Sequence, residues 1–353
     1  MFTRGVIEGF YGRAWPWPQR RAMIDFLAVE KFDAYVYAPK ADTALRRAWR
    51  EPHAALEFDA LLALREHSRQ RGVAFGIGFS PWGLQSEYGA TDRAALRQKF
   101  TQLNQLDPDW LCILFDDMPG SFAQLAQRQA AIVADLMSIA TVKRVAMCPT
   151  YYSFDPVLEE LFGPMPSRYL EDLGVVLDPA VDIFWTGSHV LAPGFTQADI
   201  DAIATRIQRK PTLWDNYPVN DGRKSSRFLN LLPVRNRPAQ LSQWCAGHFA
   251  NPMNQPLLSQ LPLASLAASY KQGDAYDGAT CWPQQLRAMD DRELAHLLAR
   301  DAEQFQVAGL DGIAADERAR IAADYRRLSN PAAWEVADWL DELYRFDPAC
   351  LND

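Results

Sequence analysis

Short apolar runs alternate along the chain with longer stretches whose apolar residues recur at helical spacing. The runs cover residues 6–11, 34–38, 73–79, 111–115, 145–147, 181–185, 212–214 and 244–249, and they are of strand length. Runs that are apolar throughout suit parallel strands buried on both faces. Between them, residues 19–29, 58–69, 93–106, 122–139 and 197–209 read as amphipathic helices, several introduced by Asp, Ser or Thr in a capping position. Polar or special residues at the ends of the runs, Gly9, Lys40, Pro81, Asp116, Thr150, Trp185, Asn216 and Asn251, follow one another at steps of 31 to 41. One such step is a βα unit, and eight of them in about 250 residues predict a (β/α)8 TIM barrel.

An open doubly wound sheet is the rival arrangement, and it requires a phosphate-binding glycine loop. Gly76-Ile77-Gly78 is followed by Phe79-Ser80-Pro81 and not by a third glycine opening a helix, so no dinucleotide site is read there. From about Asp274 the pattern turns to helix alone, over residues 291–306, 314–328 and 332–344. The expected organisation is a catalytic barrel over residues 1–272 and an all-helical C-terminal extension over residues 273–353.

A chain of 353 residues, 48% hydrophobic and 23% charged, can bury a large core. Its formal charge of -8 argues against a nucleic-acid backbone or an anionic membrane surface as partner and leaves room for a neutral or cationic ligand. No apolar stretch approaches the roughly 18 residues of a membrane span. The five cysteines, Cys112, Cys148, Cys245, Cys281 and Cys350, are scattered without a CxxC pair and read as reduced thiols of a cytoplasmic protein. The N-terminal residues, which lack a basic segment followed by an apolar one, fit the same expectation. The five histidines form no HExxH or paired-ligand spacing, so neither a metal nor another cofactor is expected.

The fourth run ends abruptly in Asp116-Asp117. Residues past the carboxyl ends of barrel strands converge on one mouth, whatever their separation in sequence. On extended backbone successive side chains point to opposite sides, so the pair could address two atoms of one ligand while still feeling each other's charge. The plainer reading is a solvated turn capping a helix that begins near Ser121. The other strand ends add the Gly9 segment, Lys40, Cys148-Pro149-Thr150-Tyr151-Tyr152, Trp185-Thr186-Gly187, Trp214-Asp215-Asn216, Asp221 and Asn251. Carboxylates, amides, an ammonium and flat aromatic walls together suit a sugar ring. Asp215, facing away from its neighbours, is expected in a structural salt bridge, and Trp185 fits core or pocket wall equally.

Six motifs in order, Gly5-Val6-Ile7-Glu8-Gly9-Phe10-Tyr11-Gly12, Tyr37-Ala38-Pro39-Lys40, Phe115-Asp116-Asp117, Cys148-Pro149-Thr150, Trp185-Thr186-Gly187 and Trp214-Asp215-Asn216, make the resemblance specific. Over roughly residues 4–253 the chain resembles glycoside hydrolase family 84, the β-N-acetylglucosaminidases that include protein O-GlcNAcase. The resemblance implies a retaining, exo-acting hydrolase in which the substrate's own acetamide oxygen attacks the anomeric carbon and an oxazoline forms. It implies that Asp116 orients the acetamide N–H and that Asp117 serves as acid and base, with Asp117 raised in pKa and Asp116 ionised. Tyr152, with Tyr151 as the neighbouring alternative, matches the tyrosine that steadies the acetamide oxygen. Gly9 main chain, Lys40 and Asn251 match groups on the 3-hydroxyl side, Asn216 and Asp221 those at the 4- and 6-hydroxyls, and Trp214 a wall of the acetamide pocket. The implied partner is an N-acetylglucosamine-containing glycoconjugate or glycoprotein, its aglycone selected by the helical tail and by rim loops such as Trp15-Pro16-Trp17-Pro18. A hyaluronidase-like endo-hydrolase and a catalytically silent sugar-binding barrel are the alternatives.

Overall fold

The computed structural model describes residues 2–347, so Cys350 lies outside the described residues. At its centre eight parallel strands close into a barrel in sequence order, the eighth pairing back onto the first. They are β1 (Thr3–Glu8), β2 (Ala34–Tyr37), β3 (Ala74–Phe79), β4 (Trp110–Leu114), β5 (Arg144–Cys148), β6 (Asp182–Trp185), β7 (Thr212–Asp215) and β8 (Gly247–Ala250). Each falls on one of the eight apolar runs. At the two ends of the series the limits move: β1 stops at Glu8, leaving Gly9 to Tyr11 past its end, and β8 begins only at Gly247.

Helices α1 (Trp17–Val29), α2 (Ala55–Arg71), α3 (Ala90–Leu103) and α4 (Leu125–Ile139) connect the first five strands. Two short helices, α5 (Val157–Phe162) and α6 (Tyr169–Val176), lead to β6, α7 (Gln197–Ile207) leads to β7, and a single turn, α8 (Leu241–Trp244), precedes β8. The eighth barrel helix is α9 (Gln260–Gln272). Local chemistry sets several limits. The Thr196 hydroxyl accepts from the Asp199 N–H and the Asp199 carboxylate accepts from the Thr196 N–H, a capping box that starts α7. Gly72, at a φ of 70°, stops α2 in the left-handed conformation that favours glycine.

Aromatic rings fill the barrel. The Phe249 ring occupies the space a Cβ at Gly5 would need, 2.4 Å away, and meets Trp110 and Phe184 edge-on at 5.4 and 5.6 Å. Phe184 meets Trp214 in turn at 5.4 Å, so packed core runs up to the floor of the mouth. At the end of β1 the wholly buried Glu8 pairs with Arg20 of α1 through contacts of 2.7 and 2.9 Å and accepts from the Tyr35 hydroxyl. Removing one partner of so buried a pair costs about 3–5 kcal/mol.

Beyond α9 lie α10 (Gly278–Ala288), α11 (Arg292–Val307), α12 (Ala315–Arg326) and α13 (Pro331–Leu340). Their apolar cluster includes Leu229 and Leu231 from the connection after β7, and Met253 and Leu258 from the connection after β8. The buried Glu335 of α13 accepts from the backbone N–H groups of Leu257 and Leu258 at 3.1 and 2.9 Å, and Trp339 Nε1 donates to the Ser226 carbonyl at 3.1 Å. The C-terminal helices therefore brace the loops that leave the barrel mouth. Among the described residues no helix is long and apolar enough to cross a membrane. Cys112, Cys148, Cys245 and Cys281 are buried and unpaired.

Candidate active site

Seven of the eight strand ends contribute to one cavity of about 180 Å³ at the mouth; the loop after β3 does not. Gly9, Lys40, Asp116, Asp117, Tyr152, Trp214, Asn216, Asp221 and Asn251 all line it. The volume lies below the ~300–1,000 Å³ of drug-sized sites and suits a single sugar ring.

The acid pair does not sit on extended backbone as the strand pattern predicts. Asp117 has a φ of 58°, and this left-handed turn brings both carboxylates to the same cavity. Nor do they cap a helix, since α4 begins at Leu125 after Gln124 with no side-chain cap. Lys40 Nζ donates to Asp116 Oδ2 and lies 3.7 Å from Asp117 Oδ2. Burial weighs more on Asp116 than on Asp117, whose side chain is 22% exposed against 7%. Burial accordingly pushes the Asp116 carboxyl above its ordinary value and the Asp117 charge adds to this, while the Lys40 ammonium opposes it. The contact with Lys40 is what favours the ionised form of Asp116. Burial works against the Lys40 ammonium; Asp116 and Asp117 outweigh it and hold the group above its usual value.

Each oxygen of Asp117 accepts from a phenol, Oδ1 from Tyr152 at 3.0 Å and Oδ2 from Tyr11 at 2.7 Å. Tyr151 points elsewhere, donating to the Gly163 carbonyl at 2.6 Å, so Tyr152 is the member of that pair at the cavity. On the opposite wall Asn251 Oδ1 accepts from the Gly9 N–H at 3.2 Å, and Asn216 Oδ1 accepts from Asn251 Nδ2 and Trp214 Nε1 at 3.0 and 3.1 Å. A Cβ on Gly9 would stand 2.3 Å from the Trp214 ring, so only glycine permits this approach. Asp221 Oδ2 accepts from the Tyr11 N–H at 2.8 Å. Burial pushes its carboxyl up to about 6, against that N–H and with Asp117 adding to the rise. One acceptor is left over: Asp116 Oδ1 is buried without a hydrogen-bond partner.

A family model described as beta-N-acetylglucosaminidase matches residues 4–303. The chain belongs to the beta-N-acetylglucosaminidase family. It is similar to the protein O-GlcNAcases of Rattus norvegicus and Mus musculus, each 28% identical over 280 residues, or 76% of this chain and 30% of theirs. The chain thus spans under a third of the length of these relatives. A solved variant of the O-GlcNAc hydrolase of Thermobaculum terrenum superposes with a TM-score of 0.76 at 27% identity, covering 96% of this chain and 81% of that one.

Within this member of the family, other residues near the strand ends serve packing. Trp185 is core, 1% exposed and edge-on to Phe154 at 4.8 Å. Trp15 is buried and donates to the Met253 and Asn254 carbonyls, and Trp17 stacks on Tyr37, so this segment anchors α1 and does not supply an aromatic rim. Asp215 pairs with Arg237 at 2.8 Å and His248 at 3.0 Å, as its alternation predicts. Burial would raise its carboxyl, but these partners hold it below the ordinary carboxylate range. The cavity also takes Tyr11, Cys148, Thr186, Val190, Leu191 and Val219, which sequence reasoning did not single out. Tyr11, Cys148 and Thr186 lay within quoted motifs, which was their only signal. Asn216, Leu191 and Val219 also line an adjoining cleft of about 570 Å³ that reaches Gln306 and Val307 of α11.

Proposed function

We propose that the protein is a retaining exo-β-N-acetylglucosaminidase, acting on terminal β-linked N-acetylglucosamine of a glycoconjugate or glycoprotein by substrate-assisted catalysis. The observation that carries the reading is the unpartnered Asp116 Oδ1 beside Asp117. A buried acceptor without a donor is costly, and the acetamide N–H of a bound sugar supplies one. The acetamide oxygen attacks the anomeric carbon as Asp117 gives its proton to the leaving oxygen. The oxazoline's nitrogen then shares its positive charge with Asp116. In the second step Asp117 takes a proton from water, which attacks the same carbon and opens the ring. No protein carboxylate becomes glycosylated, so the separated nucleophile and acid of ordinary retaining glycosidases are not needed. Lys40, the Gly9 main chain, Asn216, Asp221 and Asn251 hold the ring hydroxyls, Tyr152 steadies the acetamide oxygen, and Trp214 walls the acetamide. The four buried, unpaired cysteines support a reducing, cytoplasmic compartment. Residues 1–272 form the catalytic barrel in this reading, and residues 273–353 the extension that braces it.

A chromogenic β-N-acetylglucosaminide tests the activity, since a silent sugar-binding barrel binds without turnover. Asp117→Asn is expected to slow cleavage of poor leaving groups far more than of activated aryl glycosides, and Asp116→Asn to slow both. A thiazoline mimic of the cyclised intermediate is expected to inhibit tightly; failure to bind would remove the substrate-assisted mechanism.

A further inference from the structure

We propose that Arg46 is a positioning residue for Asp117, acting through the hydroxyl of Tyr11. Arg46 follows β2, is 4% exposed, and does not line the cavity. Its Nη2 donates to the Tyr11 hydroxyl oxygen at 3.0 Å, and the Tyr11 hydroxyl donates to Asp117 Oδ2 at 2.7 Å. The direction of this chain is fixed by the chemistry of its first member. A guanidinium has donors and no acceptor, so the phenol oxygen must receive from it, and the single phenol proton is left to point at the carboxylate. Arg46 is itself held between two rings, 5.3 Å from the Tyr11 centroid and 4.7 Å from that of Trp82. Trp82 belongs to the loop after β3, the one strand end that gives the cavity no residue. That loop acts at one remove, by clamping the cation.

The arrangement has two consequences for an acid that becomes a base. With Oδ2 accepting from a Tyr11 hydroxyl that Arg46 keeps pointed at it, the carboxyl group of Asp117 is held in one orientation, its transferable proton is kept to the side facing the sugar, and the Tyr152 hydroxyl is left available to the acetamide oxygen. When that proton leaves, a fixed positive charge one hydroxyl away favours the anion that remains. The effect belongs to proton transfer, so it grows as the leaving group becomes poorer. The other groups facing Asp117 are Lys40 after β2, Asp116 beside it, Cys148 at the end of β5, Tyr152 after it, and Asp221 after β7.

The inference rests on the acid/base role proposed for Asp117, and the experiment separates the two. Wild type, Asp117→Asn, Arg46→Met, Arg46→Lys, Tyr11→Phe and the Arg46→Met/Tyr11→Phe double variant are compared on an activated aryl and an alkyl β-N-acetylglucosaminide across pH. Arg46→Met is expected to lower kcat on the alkyl substrate by about 10- to 100-fold, the range for losing a charge-assisted hydrogen bond. The aryl substrate is expected to change little, the alkaline limb of the pH profile to move to higher pH, and Arg46→Lys to recover part of both effects. Tyr11→Phe is expected to reproduce the pattern, and the double variant to lose no more than the worse single one, because both break one chain. Equal losses on both substrates with an unmoved alkaline limb, or losses that multiply in the double variant, overturn the inference. Should Arg46→Met not fold, Arg46→Lys and Tyr11→Phe decide it by the same two readouts. If Asp117→Asn itself shows no leaving-group dependence, the functional reading fails first.

Discussion

Asp221 carries a titration close to neutral pH. Burial sets its carboxyl at about 6, and the role proposed for it, accepting from sugar hydroxyls, belongs to the ionised form. Because the value is raised, the group is protonated below about pH 6, and affinity for the sugar should weaken as pH falls through that point. Asp221→Asn is expected to flatten the pH dependence of inhibitor Kd and to weaken binding at pH 7 by about 10- to 100-fold, as for losing a hydrogen bond to a charge. A thiazoline titration in both proteins checks this, and an Asn variant with the wild-type pH slope would assign the titration to another group. Gly9→Ala tests the opposite wall, where the added methyl must displace the Trp214 ring. The expected outcome is a fall of at least about tenfold in kcat/KM with a stability loss of about 1–3 kcal/mol, measured by kinetics and thermal melting. The nine residues read from sequence reach one cavity because barrel topology converges strand ends, and that is legible as soon as eight runs are counted. Arg46 is not legible: it lies six positions past Lys40 in irregular chain, and only the fold returns its guanidinium to Tyr11.

Elements were legible in proportion to their length and regularity. The strands stood out because runs buried on both faces are apolar throughout, and α1 to α4 and α7 because each repeats its apolar positions over three turns or more. Helices α5 and α6, six and eight residues long, carry too few turns to show a period. Helix α10 contains Pro283, which breaks the pattern that would mark it. The left-handed turn at Asp117 had no signal, since Asp adopts that conformation without the glycine that usually announces it. One element carries a pH dependence of its own. Burial pushes Glu335 of α13 up to about 8, against the N–H groups of Leu258 and Leu257. The folded chain therefore holds this proton more tightly than the unfolded chain, whose ordinary glutamate value is near 4.5. Its contribution to stability is complete below about pH 4.5 and is lost as pH rises through about 8. Glu335→Gln, which leaves a neutral acceptor in place, is expected to flatten the decline of Tm between pH 5 and 8 and to melt higher than wild type at pH 8. Parallel melting curves for the two proteins would remove Glu335 as the cause.

At the scale of the molecule, the question is whether the C-terminal helices are an appendage or a part of the catalytic machine. Leu229 and Leu231 leave β7, Met253 and Leu258 leave β8, and all four are buried in the cluster formed with α10 to α13. The same two connections carry Asp221 and Asn251 to the cavity. Removing residues 273–353 would strip these side chains of their cover. Each buried Leu or Met returned to water costs about 1.5–3 kcal/mol, so four of them amount to roughly 6–12 kcal/mol, comparable with the whole stability of a domain. A chain ending at residue 272 is accordingly expected to express insolubly or to melt without cooperativity. A milder variant keeps the question open to kinetics: Trp339→Ala removes a buried ring and its bond to the Ser226 carbonyl, at a cost of about 3–5 kcal/mol. The loosening falls on the Asp221 loop, so KM should rise more than kcat falls, whereas damage confined to the extension would leave both unchanged at temperatures below melting. A soluble, cooperatively melting 1–272 fragment with wild-type kcat/KM would show that the barrel is self-sufficient and that its shared core with the helices is dispensable.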